Sequence, residues 1–317
     1  MAGRTDIPRT LRDNIARVIV GKDGAIDLVL TALLAGGHIL IQDVPGLGKT
    51  LLARALAKSV DARFQRVQFT PDLLPSDITG VSIFNERDRA FEFRPGPVFA
   101  NILLGDELNR ATPRTQSALL EAMEERQVTV DGVTHPLPAP FFVIATQNPV
   151  EQEGVYALPE AQLDRFLMQI SIGYPSQPDE VRIIRGQLDR VPLEELGPVT
   201  DVAALATLQR QVRAIHIDET IAQYAVRLVD ATRGHPDLLL GASPRASLSL
   251  LVSAQALACV RSQRYVRAEL IKELAPPVLR HRLIVRPKAI LAGRTPDQIV
   301  RELLGDVPLP LTVDELA

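Results

Sequence analysis

At 317 residues the chain exceeds one ordinary small domain, and at roughly 150 residues per domain it is long enough for two units with cores of their own. Hydrophobic residues make up 46% and charged residues 23%, the balance of a folded soluble protein rather than of a disordered or membrane-embedded chain. A net charge of -3 and a pI near 6.0 leave no global positive field to gather phosphate backbones, so nucleic acid is not the expected partner.

Residues 1–12 carry charges and Pro8 without a continuous apolar core, unlike an export signal. The longest apolar stretch, 25–41, is interrupted by Asp27, Gly36, Gly37 and His38, and reads as a buried helix followed by a strand rather than a membrane span. The single cysteine, Cys259, cannot close an internal disulfide and sits in an apolar helical run, as a buried, inert thiol would. A soluble protein in the reducing cytoplasm is expected.

Up to about residue 175, short β-rich runs alternate with helical patterns, the signature of a parallel sheet covered by helices. The five strands expected are 38–42, 64–68, 101–105, 141–146 and 167–171, with helices at 49–60 and 114–126 between them. Leu119, Leu120 and Met123 form an apolar stripe on the second helix. Two hairpins are expected as insertions: 81–93, turning through 85–88, and 127–137, turning through Asp131 and Gly132, a pair suited to a type I′ turn. Beyond Tyr174 and Pro175 helical periodicity takes over at 181–188, 202–215, 221–231 and 244–260. The fold class expected is therefore α/β, with a core over 1–175 and a smaller all-helical unit over 176–317. Within the latter, 237–242 reads as a loop, and Pro276 with Pro277 as a break in the helical pattern.

Asp43, Val44, Pro45, Gly46, Leu47, Gly48, Lys49 and Thr50 follow an apolar strand and open an amphipathic helix, the context a P-loop demands. Gly46 and Gly48 allow successive amides to wrap phosphates against the positive end of the helix, which continues through Leu51. Lys49 is placed to contact the β- and γ-phosphates of ATP, and Thr50 to ligate Mg²⁺. The first position of the motif is Asp43 rather than glycine, a departure that leaves the closest phosphate approach to the later glycines.

Ile102, Leu103 and Leu104 lead into Asp106 and Glu107, a buried strand ending in two carboxylates where open α/β sheets place their chemistry. Asp106 suits the Mg²⁺ shell, and Glu107 a general base that polarises the attacking water. After the next strand comes Asn148, whose amide suits the γ-phosphate and attacking water, although a turn-forming Asn before Pro149 accounts for the same letters. His38, His135, His216, His235 and His281 are scattered without ligand spacing, which argues against a metalloenzyme. No Gly-x-Ser-x-Gly elbow or Cys-His pairing suggests a nucleophilic hydrolase.

The segments 43–50, FTPDLLPSD (69–77), GPVF (96–99), DELNRA (106–111), ALLEAM (118–123), ATQNP (145–149), LPEAQLDRF (158–166) and SPR (243–245) carry a resemblance to the MoxR family of AAA+ ATPases, in the helix-2-insert branch. The resemblance reaches from about residue 20 to 287. It implies an AAA+ core, a helical lid and a homo-oligomeric ring, commonly hexameric, with ATP and Mg²⁺ bound between subunits. It also implies a chaperone-like role on partner proteins, often ones with a von Willebrand factor A domain. Carried over, Asn148 matches sensor 1, Arg245 sensor 2 in the lid, and Arg165 the arginine finger, with Arg110 and Arg114 as competitors. Val18, Ile19, Val20 and Gly21 resemble the segment that packs against adenine, and the hairpins resemble pore-facing inserts that meet partners. Arg245 has separate physical support: Ser243 reads as an N-cap and Pro244 as the first helical residue, so the arginine falls in a first turn where the dipole disfavours a cation and a bound anion would relieve it. A DNA-acting or magnesium-chelatase-like motor of the same branch is the alternative, and a nucleotide-gated scaffold that barely turns over is a further one.

Overall fold

Apolar runs bounded by turn residues become central strands because both their faces are covered by helices. A computed structural model describes residues 6–149, 155–189 and 192–310; residues 1–5 of the leading stretch and 311–317 of the expected lid lie outside it. Helices α1 (Ile7–Ala16) and α2 (Asp23–Ala35) precede strand β1 (Ile39–Gln42), which runs through the P-loop segment into α3 (Lys49–Ser59). Next come β2 (Phe64–Gln68), α4 (Pro75–Thr79), the hairpin β3 (Gly80–Asn85) and β4 (Ala90–Pro95), and β5 (Ile102–Asp106). Helix α5 (Pro113–Glu125) leads to a second hairpin, β6 (Gln127–Val130) and β7 (Val133–Pro136), then to β8 (Phe142–Gln147), α6 (Glu160–Leu163) and β9 (Met168–Ile170).

The five sheet strands lie in the order β2-β5-β8-β1-β9, all parallel. Alternate residues feed two cores. Ile39, Ile41, Ile102, Leu104 and Ile144 join α1, α2 and α3 on one face, whereas Leu40, Leu103, Val143 and Ala145 join α5 and Phe69 on the other. Helix α2 is buried around most of its circumference, since the sheet covers one side and the C-terminal helices the other. It ends at Gly36, whose φ of 72° turns the chain into β1.

Both expected hairpins form. Asp131 (φ 50°) and Gly132 (φ 78°) make the two-residue turn joining Val130 to Val133. In the longer hairpin, Phe84 and Phe91 lie edge to face at 5.4 Å and are largely exposed.

The remainder is helical: α7 (Gln177–Asp189), α8 (Val202–Val212), α9 (Glu219–Arg233), α10 (Pro244–Val260), α11 (Ala268–Leu279), α12 (Pro287–Leu291) and α13 (Pro296–Asp306). Small buried residues of α10, including Ser249, Ser253 and Ala254, let it press closely on α2. Two local expectations are corrected. The loop at 237–242 contains a strand, Leu238–Leu240, paired antiparallel with Ile284–Val285, because a Leu-rich run finds an apolar partner only beyond α11. Pro276 and Pro277 sit inside α11 instead of ending it. The helix continues because Ala275, Pro277, Val278 and Leu279 are buried, and because Arg280 and Arg282 donate to the carbonyls of Pro276 and Val278 near its end.

Candidate nucleotide site

At the C-terminal edge of the sheet β1 gives way to a loop in which Gly46 (φ 87°) and Gly48 (φ 82°) adopt left-handed backbone, with open space where a Cβ would stand. No side chain caps α3, so its first amides remain for a ligand. Lys49 donates from Nζ to the Asp43 carbonyl at 2.7 Å. Burial lowers its pKa, while the Asp106, Asp43 and Glu107 carboxylates act the other way. A cation so placed gains from an anion.

Asp43 explains its own departure from glycine. Its buried carboxylate accepts from Ser171 Oγ at 2.6 Å, from the Ile172 N–H at 2.5 Å and from the Gly173 N–H at 3.4 Å, which ties the loop to the chain leaving β9. That chain walls a cavity of about 390 Å³ beside the loop, lined by Val18, Val20, Gly46, Leu51, Tyr174 and Ile184 among others. Gly21 lies between Val20 and Lys22 of that lining; its φ of 70° and missing side chain admit α7, since a Cβ there would come within 2.2 Å of the Asp179 carboxylate.

Asp106 accepts from Thr146 Oγ1 at 2.6 Å and from Arg66 at 2.7 Å. Glu107 has a φ of 57°, a strained setting for a non-glycine residue, and its amide donates to the same Thr146 oxygen at 2.9 Å. Its carboxylate accepts from Gln68 at 2.6 Å and from Arg110 at 2.8 Å. Asn148 is buried one residue past Gln147, whose carbonyl accepts the Asp43 amide at 3.3 Å, so it stands level with the loop. Arg66, Gln68 and Thr146 escaped sequence reasoning. Their signal lies in the pairing: Gln68 ends β2 opposite Asp106, two residues after Arg66.

Lys49 and Thr50 on one side, Asp106 and Glu107 on the other, thus bracket an open glycine cradle, a donor set that fits a triphosphate with one hard divalent cation. Among the described residues no cluster of three or more His, Cys, Asp or Glu suggests another metal site.

The other arginines divide by edge. Arg110 pairs with Glu107, and Arg114 is exposed in the first turn of α5, both at the P-loop edge. Arg165 lies two residues before Leu167, whose amide donates to His38 just ahead of β1, which puts it at the opposite edge of a parallel sheet. Its Nε meets Glu124 at the end of α5 at 3.0 Å. Arg245 reaches the same carboxylate at 3.5 Å from the first turn of α10, which begins with Ser243 as N-cap and Pro244 as first residue. Sequence and structure agree on that helix start, while the anion nearest Arg245 is Glu124.

Strand order, a P-loop strand flanked by neighbours on both sides and a helical lid define a P-loop ATPase of the AAA type. Residues 38–168 match the model of the ATPase family associated with various cellular activities (AAA), and 230–303 that of the AAA lid domain. YeaC of Bacillus subtilis, itself uncharacterised, is 52% identical over 94% of this chain and 93% of its own. Chaperone MoxR1 of Mycobacterium tuberculosis is 43% identical over 93% of this chain and 80% of its own. A crystal structure of a protein from Cytophaga hutchinsonii described as a candidate ATPase superposes with a TM-score of 0.91 at 40% identity, covering 96% of both chains. The chain belongs to the MoxR family of AAA+ ATPases. No helix among the described residues is long and apolar enough to cross a membrane.

Proposed function

We propose that this chain binds and hydrolyses ATP with Mg²⁺ between the subunits of a homo-oligomeric, hexameric ring in the cytoplasm, and uses the turnover as a chaperone-like remodeller of partner proteins. Residues 1–175 serve as the nucleotide core and 176–317 as the lid. In this reading the glycine loop, Lys49 and the amides of α3 hold the phosphates, and the cavity beside Val18 and Val20 takes the adenine. Thr50 and Asp106 would hold Mg²⁺, which supplies charge neutralisation to the transferring phosphoryl group. Glu107, released from Gln68 and Arg110, takes a proton from the attacking water, and Asn148 orients that water.

The observation that carries the proposal is the separation of charges: Arg165 and Arg245 stand at the sheet edge remote from their own P-loop, where they serve only a neighbour's nucleotide. A head-to-tail ring brings one edge against the other. The chaperone role draws on the relative that bears that name, and von Willebrand factor A proteins as clients on the family resemblance. The exposed Phe84 and Phe91 supply an apolar grip for a polypeptide. A DNA motor finds less support, since the hairpin tip carries Glu86, Arg87, Asp88 and Arg89 in balance.

Calorimetry and turnover assays test the site. Lys49→Ala is expected to abolish binding of Mg-ATP. Glu107→Gln is expected to bind it with turnover lowered about 10²- to 10⁴-fold. Turnover equal to the parent's in a folded Glu107→Gln chain removes Glu107 from its role.

A further inference from the structure

Arg165 and Arg245 come from different parts of the chain, the turn after α6 and the first turn of α10, yet converge on one carboxylate, Glu124. Arg165, Glu124 and Arg245 keep 30%, 37% and 49% side-chain exposure, so an approaching surface can reach all of them. The frame around them is rigid by contrast. Buried Arg282 donates to Asp164 Oδ1 at 2.6 Å and to the carbonyls of Phe166 and Leu167 at 2.7 and 3.1 Å, fixing the backbone on both sides of Arg165. Three arginines therefore share two carboxylates, Glu124 and Asp164, and of the three Arg282 is the buried one.

A carboxylate ion-paired with two guanidinium groups has the charge sign of a phosphoryl group between the same arginines. We propose that Glu124 acts through the two arginines by standing in for the neighbour's γ-phosphate, occupying Arg165 and Arg245 until a loaded P-loop arrives and then exchanging them to it. The inference rests on the reading of the two arginines as acting across the interface. With backbone movement limited by Arg282, the exchange is a matter of side-chain rotation. It adds an anion competitor to each interface: only the fraction of subunits with released arginines is competent, and apparent nucleotide affinity is reduced by that fraction.

The test uses the full chain and steady-state turnover at increasing Mg-ATP. Exposed ion pairs are individually weak, so releasing two of them in Glu124→Gln is expected to lower the half-saturating Mg-ATP concentration about three- to tenfold, with kcat within about twofold of the parent. A carboxylate that merely braced the arginines would instead reduce kcat without tightening half-saturation. Glu124→Asp, which retracts the charge without removing it, is expected to shift half-saturation the same way by a smaller factor. Unchanged or raised half-saturation in a folded Glu124→Gln chain, or in Glu124→Asp should the first not fold, overturns the proposal. Arg165→Ala separates the two levels: turnover equal to the parent's would sink the interface reading itself, whereas lost turnover there without the Glu124 shift sinks only the exchange.

Discussion

The two edges of the sheet are chemically opposite. At the C-terminal edge half-buried Lys49, with Arg66 and Arg110, balances Asp43, Asp106 and Glu107, and open glycine backbone leaves room for a ligand. At the N-terminal edge Arg165, Arg245 and Arg282 share Glu124 and Asp164. The four residues of β1 separate them by about 13 Å at 3.3 Å per residue. A net charge of -3 conceals this division entirely. In the proposed reading each edge is half of a phosphoryl-transfer site, and a parallel sheet, by giving every strand the same direction, keeps the halves apart within one chain.

Separating the halves on different chains tests that lesson most severely. Arg165→Ala is expected to spare Mg-ATP binding while lowering turnover about 10³-fold or more, the scale of a lost arginine finger. Mixed with Glu107→Gln, it is expected to recover part of the activity, because an intact Glu107 edge then meets an intact Arg165 edge. Recovery absent at every ratio would break the link between the edges.

The next effect concerns how the arginine edge is built. Arg282 is buried against Asp164, and removing one partner of such a pair costs about 3–5 kcal/mol because the other charge stays behind. Arg282→Met is expected to lower the unfolding free energy by that scale, read from denaturant titration. A loss below about 1 kcal/mol would show that packing alone holds the turn bearing Arg165.

Much of the P-loop edge was legible in the sequence, because its chemistry is local. The glycines, Lys49 and Thr50 are consecutive, and the strand ending in Asp106 and Glu107 reads from its own letters. The hairpin at Asp131 and Gly132 and the start of α10 at Pro244 were legible for the same reason. The arginine edge was not, since its order comes from pairs far apart in the chain: Glu124 with Arg245, Asp164 with Arg282. Nor was the duty of Asp43, which depends on Ser171 and Ile172 across the sheet. Pro276 and Pro277 misled because local propensity was overruled by burial and by arginines that satisfy the helix end. The packing of Gly21 was not legible either, since its missing side chain accommodates Asp179 from a distant helix.

Acid sharpens the comparison with the smallest effect, because two of the buried histidines, His38 and His281, belong to the arginine edge. His38 accepts the Val143 amide at Nδ1 (3.0 Å), so Nε2 carries the proton and donates to the Met123 carbonyl at 3.1 Å, next to Glu124. Burial holds its pKa down to about 4 from 6.5, with Arg126 adding to the effect. Burial, with Arg282 and Arg280 nearby, likewise keeps His281 well below its ordinary range against the Phe166 carbonyl. Between about pH 6.5 and 4 the unfolded chain takes up a proton at residue 38 that the folded chain refuses, so stability falls as pH falls through that window and is unaffected above it. From His38 alone the loss is about 2 kcal/mol between pH 7 and pH 5. His38→Asn, which keeps an acceptor for Val143 but does not titrate there, is expected to flatten that part of the curve, read as urea midpoints at the two pH values. A slope identical to the parent's would mean that the acid loss between those pH values comes from groups other than His38.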